Sequence, residues 1–83
     1  MDRKLLHLDF GRGKLAEVNA ILNGLAGVAA SDELRWAIED LQSETDDLDT
    51  AIRQGKVNWM YRCIAEAKRI ASDIKKILDR GQP

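Results

Sequence analysis

The sequence predicts an all-α protein, either an antiparallel three-helix bundle or a long helical hairpin with a first helix packed across it. Three observations carry this. Two long segments place apolar residues at steps of three and four. The composition is rich in Ala, Leu, Ile, Lys, Arg, Glu and Asp, with a single proline at the last position, Pro83. Glycines at 55 and 81 fall where those two segments end. The chain has 83 residues, enough for one domain that buries about 60 to 65 per cent of its unfolded surface, so a second copy would add to a thin stability margin.

The first segment is the least regular. Leu8 lies in phase with Leu15, as if one helix ran from residue 2 to 30, but Gly11 and Gly13 interrupt it and each costs about 1 kcal/mol inside a helix. Leu6, Leu8 and Phe10 also alternate as a strand does. The expectation is a short helical turn or extended arm through Leu8 and a break at the glycines, together an N-terminal arm over 1–13, followed by a helix over 14–30. Within that helix Leu15, Val18, Leu22, Leu25 and Ala29 form one apolar face. The opposite face, Ala16, Ala20, Asn23, Gly24, Gly27 and Ala30, is small and nearly uncharged, and Glu17 is the one charge between 15 and 30. Such a helix should be buried on more than one side, in the middle of an assembly or against a partner. Ala16, Ala20, Gly24 and Gly27 are the expected contact between two copies in a homodimer.

The second helix is expected over 32–53. Ser31 is a good N-cap, and Asp32 and Glu33 suit the positive end of the helix dipole. Leu34, Ile38, Leu41, Thr45, Leu48 and Ile52 keep a seven-residue repeat with one polar member, and Gln54-Gly55 closes it. The third helix, 57–80, carries Val57, Met60, Ile64, Ala67, Ala71, Ile74 and Leu78 on its stripe, widened by Cys63, Ile70 and Ile77. It is expected to end at Arg80-Gly81. The short turn at Gly55 makes helices two and three antiparallel.

Net charge is -1, from 13 basic and 14 acidic residues, which argues against a general nucleic-acid binder. The charges are segregated. Residues 32–53 hold eight acidic and two basic side chains, and residues 54–83 hold seven basic and three acidic, so the pairing of these helices is expected to be charge-complementary. Asp32, Glu33, Glu39, Asp40, Asp46 and Asp47 form an acidic line on the outside of helix two. Arg62, Lys68, Arg69, Lys75 and Lys76 form a basic line on helix three, the candidate contact for phosphates in a dimeric nucleic-acid-associated regulator.

No catalytic signature is present. His7 is the only histidine and has no metal-ligand neighbours in sequence, and Ser31, Ser43, Ser72 and Cys63 have no base placed by spacing. An enzyme, a metal and a cofactor are therefore not expected. Gly11-Arg12-Gly13-Lys14 lacks the length and the preceding strand of a phosphate-binding loop and reads as a hinge. One cysteine, no signal-peptide core and no membrane span make a cytoplasmic protein the default.

Trp36 and Trp59 lie off their core stripes, so each either anchors a partner or packs locally, Trp36 over the arm around Phe10 and Trp59 at the Gly55 turn. The function expected is that of a small regulator or inhibitor docking stoichiometrically on a larger protein with a basic surface, of the size and style of antitoxins, immunity proteins and phage anti-defence proteins. Trp36, Glu33, Glu39, Asp40 and Asp47 are its expected partner-binding residues, with Trp36 the main anchor and Trp59 packing the turn. A structural subunit of a helical assembly is a third possibility.

Overall fold

Asp2 starts the first helix. In the computed structural model, which describes residues 2–28 and 31–80, its carboxylate accepts from the backbone N–H of Lys4 at 2.9 Å, and α1 then runs unbroken over Arg3–Leu25. The expected arm and hinge are not there. Leu8 is buried while Leu6 and Phe10 are about half exposed, the signature of a helix face and not of a strand. Propensity lost to packing at Gly11: a Cβ there would overlap Met60 Sδ and come within 3.3 Å of Ile52 Cδ1. The missing side chain lets α1 approach the turn end of the other two helices. Gly13 has nothing within 4 Å of where its Cβ would stand, and nothing within the chain requires glycine there.

The helix also ends earlier than expected. Leu25 is its last residue, and Gly27, with φ +82°, turns the chain beyond it. Gly27 therefore belongs to a turn and not to the helix face on which it was expected. Ala29 and Ala30, expected on the first helix, and Gly81, expected to end the third, lie outside the described residues.

Helix α2, Asp32–Arg53, opens as expected: Ser31 Oγ accepts from the Leu34 N–H at 3.2 Å, and Asp32 and Glu33 occupy the first turn. It closes through two backbone bonds, Gly55 N–H to Ile52 O at 3.0 Å and Lys56 N–H to Ala51 O at 2.9 Å. That is the Schellman pattern, which requires the left-handed residue supplied by Gly55 at φ +67°. Helix α3, Val57–Arg80, follows at once and runs back along α2, with which it shares the most extensive interface.

The core forms two apolar clusters along a rod of 51 × 19 × 17 Å. Leu8, Leu48, Ala51, Ile52, Met60 and Cys63 fill the turn end. Val18, Leu34, Leu41, Ala67, Ile70 and Ile74 fill the other. Thr45 falls between them on α2, buried, and donates its hydroxyl to the Leu41 carbonyl at 2.6 Å. Among the described residues no buried side-chain nitrogen or oxygen is left without a partner. All the helix-three stripe residues are buried or half-buried.

One expectation about charge is only partly met. A single ion pair links α2 to α3 among the described residues, Arg80 to Glu33 at 2.9 Å. The remaining pairs lie within a helix, such as Arg53 with Asp49 at 3.0 Å and Arg69 with Glu66 at 2.8 Å. Exposed pairs three and four residues apart form without any tertiary structure, so each helix neutralises part of its own charge before the two meet.

Candidate protein-binding surface

Helix α1 covers one side of the α2–α3 hairpin and leaves the other side open. Near the free ends of the hairpin that open side forms a cleft of about 740 Å³, built from Glu33, Trp36, Ala37 and Asp40 of α2 and Asp73, Lys76, Ile77, Asp79 and Arg80 of α3. The antiparallel turn brings the start of one helix beside the end of the other. Ala37 and Ile77 also pack on the adjacent core cluster, so the floor of the cleft is apolar and tied to the interior.

Trp36 is 69% exposed, the most exposed of the large apolar side chains. It does not cover Phe10, which stacks instead on Tyr61 with ring centroids 5.9 Å apart and planes at 29°. Four carboxylates, Glu33, Asp40, Asp73 and Asp79, and two cations, Lys76 and Arg80, line the same cleft. Arg80 is held by Glu33 and Asp73 by Arg69, which leaves Asp40 and Asp79 against Lys76 and an acidic excess around the indole. Glu39 is exposed and sits three residues beyond Trp36, so it and Asp40 bracket the indole on the next turn.

Asp47 is elsewhere. It lines a smaller depression of about 190 Å³ near the turn, with Glu44, Trp59, Arg62, Cys63 and Glu66. The expected set therefore divides: Glu33, Trp36 and Asp40 are brought together with Glu39 alongside, and Asp47 keeps company with Trp59. Trp59 is half-buried against the turn-end cluster, and the Lys56 ammonium lies 5.7 Å from its ring. Its packing at the turn matches the role expected of it.

Electrostatics in the smaller depression are unfavourable to charge. Partial burial raises the Glu44 carboxyl above its ordinary value, with Asp47 and Glu66 adding to the shift. Burial likewise pushes the Cys63 thiol up, helped by the Glu44 and Asp47 carboxylates, which disfavours the thiolate. Glu66 is shifted the other way by its hydrogen bond from Arg69.

The five α3 residues expected on a basic line do not share one side of the helix. Arg62 and Lys76 stand on the open side of the hairpin, in the two depressions just described. Lys68 and Lys75 face α1. Arg69 is occupied by Glu66 at 2.8 Å and Asp73 at 3.3 Å. On α1, Ala16, Ala20 and Gly24 are exposed on the side away from the hairpin, so the single chain does not bury this helix on more than one side. His7 is exposed on α1, its Nδ1 2.6 Å from the Tyr61 hydroxyl.

Among the described residues no group of three or more His, Cys, Asp or Glu side chains is placed to hold a metal ion, and no helix is long and apolar enough to cross a membrane. Comparison with protein-family models, with curated proteins and with solved structures finds no match to this chain.

The sequence pattern overlooked Tyr61, and with it the contact to Phe10. Reading residues 1–13 as an arm detached Phe10 from its helical phase. In an unbroken helix Phe10, Lys14, Glu17 and Ile21 fall at steps of four, three and four on one edge of α1, and that edge meets α3.

Proposed function

We propose that this chain is a small non-catalytic regulator or inhibitor that docks stoichiometrically on a larger protein, with Trp36 as its main anchor and a basic surface as its target. The observation that carries the reading is an indole 69% exposed beside an apolar floor and a predominantly acidic rim. Tryptophan is the residue most enriched among binding hot spots, and an acidic rim steers it to a surface of opposite charge. A stoichiometric inhibitor in the style of antitoxins, immunity proteins or phage anti-defence proteins is the class this surface and chain length fit. The proposal includes self-association through the exposed face of Ala16, Ala20 and Gly24.

The rival reading, a nucleic-acid regulator using α3, is less favoured because its basic residues diverge to two sides of the helix and Arg69 is paired within it. Affinity capture from the native host tests the proposal. The unmodified chain is expected to retain a basic protein that elutes as salt rises, and Trp36→Ala is expected to lose it. Equal retention by both chains would refute the docking site.

A further inference from the structure

An apolar furrow runs between α1 and α3, on the opposite side of α3 from the Trp36 cleft. Three of the large apolar side chains that remain exposed meet there: Phe10 at 48%, Ile21 at 41% and Tyr61 at 37%. They are not scattered. They line one furrow of about 500 Å³ with Ile64, Ala65 and Ala71, and it continues past Ile21 and Ala71 to Leu78. Small residues on α3 at 65 and 71 keep it open, while its floor reaches the core through Val18, Leu48 and Ala67.

The rim carries a basic excess of one charge. Lys14, Lys68 and Lys75 border the furrow, against Glu17 and Asp79. Lys14 is held by Glu17 at 3.3 Å. Lys68 and Lys75, like Asp79, make no ion pair within 4 Å among the described residues, whereas Lys14 and Glu17 neutralise each other. Seven residues separate the two lysines, so they stand two turns apart, about 10 Å, along the same edge.

We infer that this furrow receives an acidic amphipathic helix from a partner protein. The distance along α3 from Tyr61 to Leu78 is about 25 Å, the length of a helix of roughly 17 residues. A furrow of that length between two helices accepts a fourth helix whose apolar stripe takes the place of water over Phe10, Ile21 and Tyr61. Carboxylates seven residues apart on that helix would meet Lys68 and Lys75, which sets the partner's charge opposite to that of the partner at Trp36. The inference does not depend on the Trp36 reading.

Fluorescence anisotropy with two labelled helical peptides of roughly 18 residues tests it. Both carry the same leucine stripe, and they differ only in having Glu or Lys at the flanking positions. The Glu peptide is expected to bind at least about tenfold more tightly than the Lys peptide. Ile21→Glu, at an exposed position, should weaken the Glu peptide by a similar factor, the double variant Lys68→Glu/Lys75→Glu should reverse the preference, and Trp36→Ala should change neither. Failure of the Glu peptide to bind, or equal binding of both peptides, overturns the inference. So does light scattering that shows a dimer abolished by Ile21→Glu and not by Gly24→Glu, because a second copy would then fill the furrow.

Discussion

Gly11 and Gly13 are two residues apart in one helix and should respond in opposite ways to the same substitution. Alanine at 13 meets open space and removes the entropic cost of glycine, so Gly13→Ala should stabilise the fold by about 0.5 to 1 kcal/mol. Alanine at 11 gains the same propensity but drives a methyl into Met60, whose side chain is fully buried and confined. Overpacking of this kind costs about 1 to 3 kcal/mol, so Gly11→Ala should lower the melting temperature while Gly13→Ala raises it. Thermal denaturation followed by circular dichroism reads both signs. Thr45→Val should raise the melting temperature or leave it unchanged and leave partner binding intact. The hydroxyl serves only the Leu41 carbonyl of its own helix, and that carbonyl also belongs to the helix's backbone ladder. Glu44 gives a pH signature. Its carboxyl is raised in the fold by burial and by Asp47 and Glu66, so its contribution is full below the unfolded pKa and lost as pH rises through the folded value. Glu44→Gln should therefore melt above the unmodified chain at neutral pH, with the difference shrinking as pH falls through the carboxylate range. A difference that is constant with pH would remove Glu44's burial as the cause.

At the scale of the helices, α2 and α3 were legible and α1 was not, for one reason. The seven-residue repeat of α2 and the stripe of α3 are dictated by one continuous interface between them, and the caps at Ser31 and Gly55 depend on neighbours in sequence. The course of α1 depends on a contact some fifty residues away, Gly11 against Met60, which no local pattern reports. Asp2, which caps α1, is a local signal of the helix start that the expectation of an arm over 1–13 did not use. The same misreading concealed the edge on which Phe10 meets Tyr61. Trp36 was legible as outward-facing because its phase relative to Leu34 and Ile38 fixes its direction. The outer face of α1 is the proposed contact with a second copy. Small residues at 16, 20 and 24 let two helices approach closely, so the chain is expected to be a dimer at tens of micromolar by light scattering. Gly24→Glu is expected to make it a monomer with unchanged helicity. A monomeric unmodified chain would remove this contact.

Across the whole molecule, the helices divide the surface by chemistry. The open side of the hairpin presents Trp36 among carboxylates, and the α1–α3 furrow presents apolar side chains between unpaired lysines. The proposed docking function uses the first surface, and the inferred partner helix uses the second. The turn end is closed by Trp59, Met60 and the Gly55 cap, and the proposed docking site at Trp36 lies at the free ends of the hairpin. Isothermal titration of the partner retained from the host, against the unmodified chain, Trp36→Ala and Trp59→Ala, tests this division most directly. Trp36→Ala should weaken binding by about 2 kcal/mol or more, in the hot-spot range, with helicity and melting temperature little changed, and Trp59→Ala should lower the melting temperature while leaving affinity nearly intact. Loss of affinity on Trp59→Ala with none on Trp36→Ala would contradict the account and move the docking site to the turn end beside Lys56 and Arg62.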